Sequence, residues 1–169
     1  MDEFEQRKRN VLAPVYFEAG AALFDCQSFE YSVAYFLSLL ARLGTQGLDP
    51  KHCRAILDDE EKKTAGQLIQ MLRKHARVSD GIEQSLAEAL TARNRLIHRY
   101  LMDNLERLPH AKEHAALVKE MEKLRSAVRL GIKRLDPFIR HLATELDGAD
   151  FDAGIEEVKR AFLASTTSQ

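Results

Sequence analysis

The chain has 169 residues, 45% hydrophobic and 30% charged, an ordinary balance for a globular protein and one domain's worth of length. At this size a chain buries about two-thirds of its unfolded surface and folds without staples. With Lys+Arg at 25 and Asp+Glu at 26, no global field draws the protein onto a polyanion, so any nucleic-acid contact must come from a local patch.

The two cysteines, Cys26 and Cys53, lack metal-ligand spacing and read as small buried hydrophobes of a reducing compartment. The opening "MDEFEQRKRN" is charged throughout and lacks the apolar core of a secretory signal. The most apolar stretch, "FEYSVAYFLSLLARLG", is too short and interrupted to span a bilayer. A cytoplasmic protein without a membrane partner is expected.

Residues 1–12 read as a charged arm, after which Pro14 opens a first helix that ends at Leu43, before the two glycines of "LGTQGLDP". Asp49 and Pro50 form an N-cap and first-turn proline for a second helical region. That region breaks near "DDEEKKT", where Thr64 recaps "AGQLIQMLRKHARV". Ser79 or Asp80 caps a third helix running to about Leu108. Pro109 starts a fourth, which Pro137 must kink or end, because its ring cannot sit in a straight helix interior. Residues 147–169 read as a linker, a short amphipathic helix and a polar tail. The whole, 1–169, is expected to be one all-α domain, an antiparallel up-and-down bundle of four to five helices.

The third helix carries an anomaly in "TARNRLIHRY". With ~100° per residue and Arg93 at zero, Ile82, Leu86, Leu90, Ile97 and Leu101 fall between about -20° and +80°. Arg93 thus sits inside the apolar stripe, with Tyr100 almost directly above it. An unpaired buried charge costs several kcal/mol, so Arg93 must find a carboxylate, a ligand anion or a subunit interface. Glu30, with Gln27 beside it in "FDCQSFEYSVAYF", supplies a candidate partner. A structural ion pair would satisfy the same demand. Asn94 and His98, near +100° and +140°, lie one turn apart at the stripe's border, where Asn94 is placed to fix the His98 tautomer. Arg95 and Arg99 fall on the polar arc.

These residues resemble the motif of the HEPN superfamily, small helical bundles marked by an arginine, four to six residues, then a histidine. Here the motif reads Arg93-Asn94-Arg95-Leu96-Ile97-His98, with a polar residue after the arginine. The segments "TAGQLIQMLRKH" and "LAEALTARNRLIHRYL" look like that family's second and third helices. Tyr100, two residues past His98, resembles the form found in HEPN toxins paired with a nucleotidyltransferase antitoxin, in which a nearby tyrosine can be nucleotidylated. The resemblance covers roughly residues 64 to 102. It implies a metal-independent endoribonuclease, of a toxin or phage-defence kind, that leaves a 2′,3′-cyclic phosphate. Arg93 and His98 would be catalytic, with Asn94 and Tyr100 supporting, RNA the substrate, and no cofactor.

The residue types suit that chemistry. A histidine can move the 2′-hydroxyl proton or protonate the leaving 5′-oxygen, and an arginine can hold the phosphate. Because Arg93 and His98 diverge by roughly 140° around one helix, a homodimer that joins two third helices across a two-fold axis is expected to gather them in one cleft. The resemblance implies the same dimer. His110 and His114, four apart, have no acidic companions and read as a solvated first turn rather than a metal site. Lys119, Lys123, Arg125, Arg129, Lys133, Arg134 and Arg140 are candidate phosphate-backbone contacts. The alternative is a non-catalytic HEPN-like bundle that binds a nucleotide, an RNA or a protein, with Arg93 a pairing charge and His98 incidental.

Overall fold

A computed structural model describes residues 2–166, and these are all-helical, with no strand among them. The helices are α1 (Glu3–Arg42), α2 (Pro50–Leu57), α3 (Ala65–His75), α4 (Asp80–His98), α5 (Tyr100–Asp103), α6 (His114–Asp147) and α7 (Phe151–Thr166). The all-α class expected from the sequence is therefore present. The expected polar tail lies partly in residues 167–169, outside the described residues.

Three long helices make the core. Arg125 on α6 pairs with Glu18 and Asp25 on α1, and Arg42 at the end of α1 pairs with Asp147 at the end of α6. These contacts ascend together, so α1 and α6 run parallel. Arg93 on α4 meets Glu30 on α1, while Tyr100 beyond α4 clusters with Val15, so α4 runs antiparallel to both. The core is up-down-up, and the second helical region is two short helices, α2 and α3, lying against α1.

Closeness at the centre depends on Gly131. A Cβ built there would stand 2.6 Å from Ala89 Cβ and 3.1 Å from Phe29 Cε2, so this glycine lets α6 approach α4 and α1 together. Around it lie Phe29, Val33, Leu37, Leu86, Ala89, Val128 and Leu135. Val15, Tyr100, Leu117 and Met121 form a second cluster towards one end.

Local signals explain most boundaries. Asp49 accepts from the Lys51 and His52 amides, and Pro50 follows it into α2. Thr64 and Gln67 form a reciprocal capping box that starts α3. Gly148, at φ 62°, closes α6 in the left-handed conformation.

Five boundaries differ from expectation. Residues 3–12 are helical rather than an arm. Glu3 pairs with Arg7 and Glu5 with Lys8, and Leu12 is buried, so Pro14 lies inside α1. The third helix stops at His98, and Arg99 (φ -131°, ψ -39°) turns the chain into α5. Pro109 does not start the next helix. A 3-10 turn, Ala111–Glu113, precedes α6, and buried His114 donates from Nε2 to the Leu108 carbonyl at 2.7 Å. His114 is therefore a packed end-of-loop anchor rather than a solvated residue. Pro137 does not end α6, since buried Leu135, Ile139 and Ala143 hold both sides of it to the core while the ring stays exposed. The linker 148–150 is shorter than the sequence suggested, because α7 already begins at Phe151.

Candidate functional site

The strongest polar site is an open cleft of about 710 Å³ between the start of α3 and the end of α4. Arg93, Asn94, Arg95, His98 and Arg99 line one side, and Thr64, Ala65 and Gly66 the other, with Asp103 at the edge. The capping box consumes the Thr64 and Gln67 amides. The partial positive charge of the α3 N-terminus remains beside three arginines.

Arg93 organises the cleft. Its side chain is 15% exposed, and its Nε donates to Glu30 Oε1 at 2.6 Å, so the carboxylate expected for this charge is the one on α1. Nη1 donates to Asn94 Oδ1 at 3.1 Å and meets His98 Nε2 at 3.0 Å. A guanidinium has no acceptor, so His98 Nε2 is unprotonated and the ring proton sits on Nδ1. Among the described residues Arg93 Nη2 has no hydrogen-bond partner.

This geometry revises two sequence expectations. Asn94 does not fix the His98 tautomer; it accepts from Arg93, and Arg93 itself sets the histidine. The 140° divergence also vanishes, because the long Arg93 side chain reaches around α4 and both groups meet within one chain. A second copy is not needed to bring them together.

Other candidates lie elsewhere. Tyr100 is 1% exposed and outside the cleft, donating to the Leu117 carbonyl at 2.8 Å and Glu120 Oε2 at 3.0 Å. Burial, then the hydrogen bond to Glu120, pushes its hydroxyl well above the ordinary tyrosine range. It is a packed structural group, and in this conformation its oxygen is closed to modification. Gln27 is exposed on α1 and takes no part in the Arg93 network.

Of the proposed basic contacts on α6, Arg125 is held by buried Glu18 and Asp25, Arg129 reaches Asp25 at 3.4 Å, and Arg140 pairs with Asp136 and Asp152. Lys119, Lys123, Lys133 and Arg134 are exposed, with no ion-pair partner among the described residues. Arg95 and Arg99, which fall on the polar arc, are exposed and line the cleft; among the described residues neither makes a salt bridge, although Arg95 acts on Glu120 at longer range. Their spacing of four gave the one sequence signal for this. Thr64, Gly66 and Asp103 gave none, since only the tertiary placement of α3 and the turn at Arg99 bring them there.

Among the described residues no group of three or more His, Cys, Asp or Glu is arranged to hold a metal ion. No described helix is long and apolar enough to cross a membrane. Cys26 and Cys53 are free and buried, and burial pushes the Cys26 thiol up to about 11. Comparisons of the chain with protein-family models, curated proteins and solved structures returned no match.

Proposed function

We propose that the chain is a metal-independent endoribonuclease of HEPN type, of a toxin or phage-defence kind, built on a HEPN-like helical bundle. The observation that carries this reading is the 3.0 Å contact between Arg93 and His98 inside one cationic cleft. An RNA phosphate entering the cleft meets Arg93 Nη2 first. As Nη1 turns from His98 to a phosphate oxygen, the His98 Nε2 lone pair is released to take the 2′-hydroxyl proton. The 2′-oxygen then attacks phosphorus, the bond to the 5′-oxygen breaks, that oxygen takes back the proton held on His98 Nε2, and a 2′,3′-cyclic phosphate results. Arg93 offsets the charge that develops on the phosphoryl oxygens. A nucleotidyltransferase-type antitoxin is the partner that fits this reading, with Tyr100 excluded as its target while buried.

A second reading, a non-catalytic nucleotide-, RNA- or protein-binding bundle, is favoured by one observation: Glu30, Asn94 and His98 already engage Nε and Nη1 of Arg93. Cleavage of several RNAs by purified protein, with chelator present, separates the two. Arg93→Ala and His98→Ala are each expected to lower the rate at least ~100-fold, the scale of a lost acid–base or charge-stabilising group. If wild type and His98→Ala behave alike, the enzyme reading is lost, and retained RNA affinity then supports the binding bundle.

A further inference from the structure

The outer face of α1 carries an exposed apolar stripe, in which only Tyr31, stacked on Tyr35, has a ring partner among the described residues. Phe17 is 78% exposed, Phe24 70%, Tyr31 58% and Tyr16 51%. Phe17, Phe24 and Tyr31 stand seven residues apart, and Ala13, Gly20 and Gln27 interleave with them at the same period. This is a heptad seam of large and small residues. The charged residues of the same stretch, Glu18, Asp25 and Glu30, are turned to Arg125 and Arg93, so the seam positions themselves carry no charge.

Gly20 supplies a second observation. Nothing lies within 4 Å of a Cβ built there, so internal packing does not require a glycine in this helix interior. It costs about 1 kcal/mol against alanine in a helix. Gly131 is explained by the chain's own core, whereas no described residue accounts for Gly20.

We propose that this seam is a two-fold interface with a second copy of the chain, the two α1 helices antiparallel. In this register Phe24 of each copy sits over Gly20 of the other, Tyr31 over Ala13, and Phe17 over Gln27. Each ring then meets a small or slender residue, and every layer is evenly filled. A parallel pairing would stack ring on ring and leave hollow layers at Ala13 and Gly20. The antiparallel register is self-complementary, as a two-fold axis demands.

The area is sufficient. At about 200 Å² per aromatic side chain, the four rings expose roughly 500 Å² per copy. Two copies bury about 1,000 Å² before Leu23, Ala13 and the backbone are counted, and a stable interface needs about 1,200–2,000 Å² in all. The pairing sets the two Glu30–Arg93 pairs about 24 Å apart along α1 at ~1.5 Å rise per residue. Each cleft therefore stays separate, and this interface does not rest on the RNA-cleavage reading.

Sedimentation and cysteine pairing test it. Wild type should sediment at twice the 19.2 kDa chain mass at micromolar concentration. Phe24→Glu should sediment as a monomer with unchanged helicity, the side chain being exposed in the single chain. Phe17→Cys mixed with Gln27→Cys should form an inter-chain disulfide under oxidation. Phe17→Cys alone should not, because its two copies are offset by about 15 Å along the helix, beyond the ~7 Å Cα limit of a disulfide. A monomeric wild type overturns the proposal, whatever else covers the seam. A Phe24→Glu dimer, or self-pairing of Phe17→Cys, overturns it as well.

Discussion

Arg93 and Glu30 are 63 positions apart in sequence and 2.6 Å apart in space, and the cleft depends on that contact. Glu30 compensates the guanidinium and holds Nε, which leaves Nη1 to set the His98 ring. Glu30→Gln keeps an acceptor but removes the charge. It should lower stability by about 1–2 kcal/mol, below the cost of breaking a fully buried pair, and, on the proposed function, slow RNA cleavage at least ~10-fold by freeing Arg93 from its position. RNA affinity should hold or rise, since the arginine charge is no longer offset. Thermal unfolding and filter binding on the same variant check both halves.

Tyr100 should behave as a structural residue. Tyr100→Phe removes a buried hydroxyl bound to Leu117 and Glu120 and should cost about 1–2 kcal/mol, with cleavage unchanged wherever the variant is folded. Its raised pKa fixes the sign of a pH effect. The native chain keeps a proton that the unfolded chain releases above about pH 10, so the stability Tyr100 contributes is intact below that value and falls as pH rises past it. Urea unfolding at neutral and alkaline pH should show the gap between wild type and Tyr100→Phe closing above about pH 10.

Gly131→Ala sets helix propensity against packing. Alanine gains about 1 kcal/mol in a helix interior, but its Cβ would meet Ala89 Cβ at 2.6 Å. Overpacking costs about 1–3 kcal/mol, and because α4 and Phe29 press from both sides, the penalty should win. A lowered melting temperature is expected, partly restored when Ala89→Gly is added.

Much of this fold was legible because its cues are local. The Asp49–Pro50 start and the Thr64 capping box are short-range devices, and each helix they predict is present. The break at Arg99 was not legible, for no glycine or proline marks it. It follows from burying Tyr100 between Val15, Leu117 and Met121, a demand set by α1 and α6. The site divides in the same way. Helical projection found Arg93 inside the apolar stripe and Glu30 as its partner. A projection fixes only where a side chain leaves the helix, so the reach of Arg93 back to His98 escaped it. Distant segments also hid the role of Arg125, which the charge pattern alone presented as one of a solvated row.

That arginine gives a sharp comparison within one helix. Arg125→Ala leaves buried Glu18 without its cation and leaves buried Asp25 only the longer contact to Arg129 at 3.4 Å. The loss should be about 3–5 kcal/mol, the cost of stranding buried charge. Arg134→Ala, at an exposed residue with no ion-pair partner among the described residues, should change stability by less than about 0.5 kcal/mol. Chemical denaturation of the two variants side by side measures the difference.

The turn at Arg99 also sets where the chain tolerates a change of length. A residue inserted just after His98 would pull buried Tyr100 out of register with Leu117 and Glu120. A residue inserted within α4 before His98 would rotate the histidine out of reach of Arg93 even if the bundle still closed. The exposed turn at Leu105 and Glu106 carries neither constraint, so relatives of this chain are expected to vary in length there far more readily than between Arg93 and Tyr100.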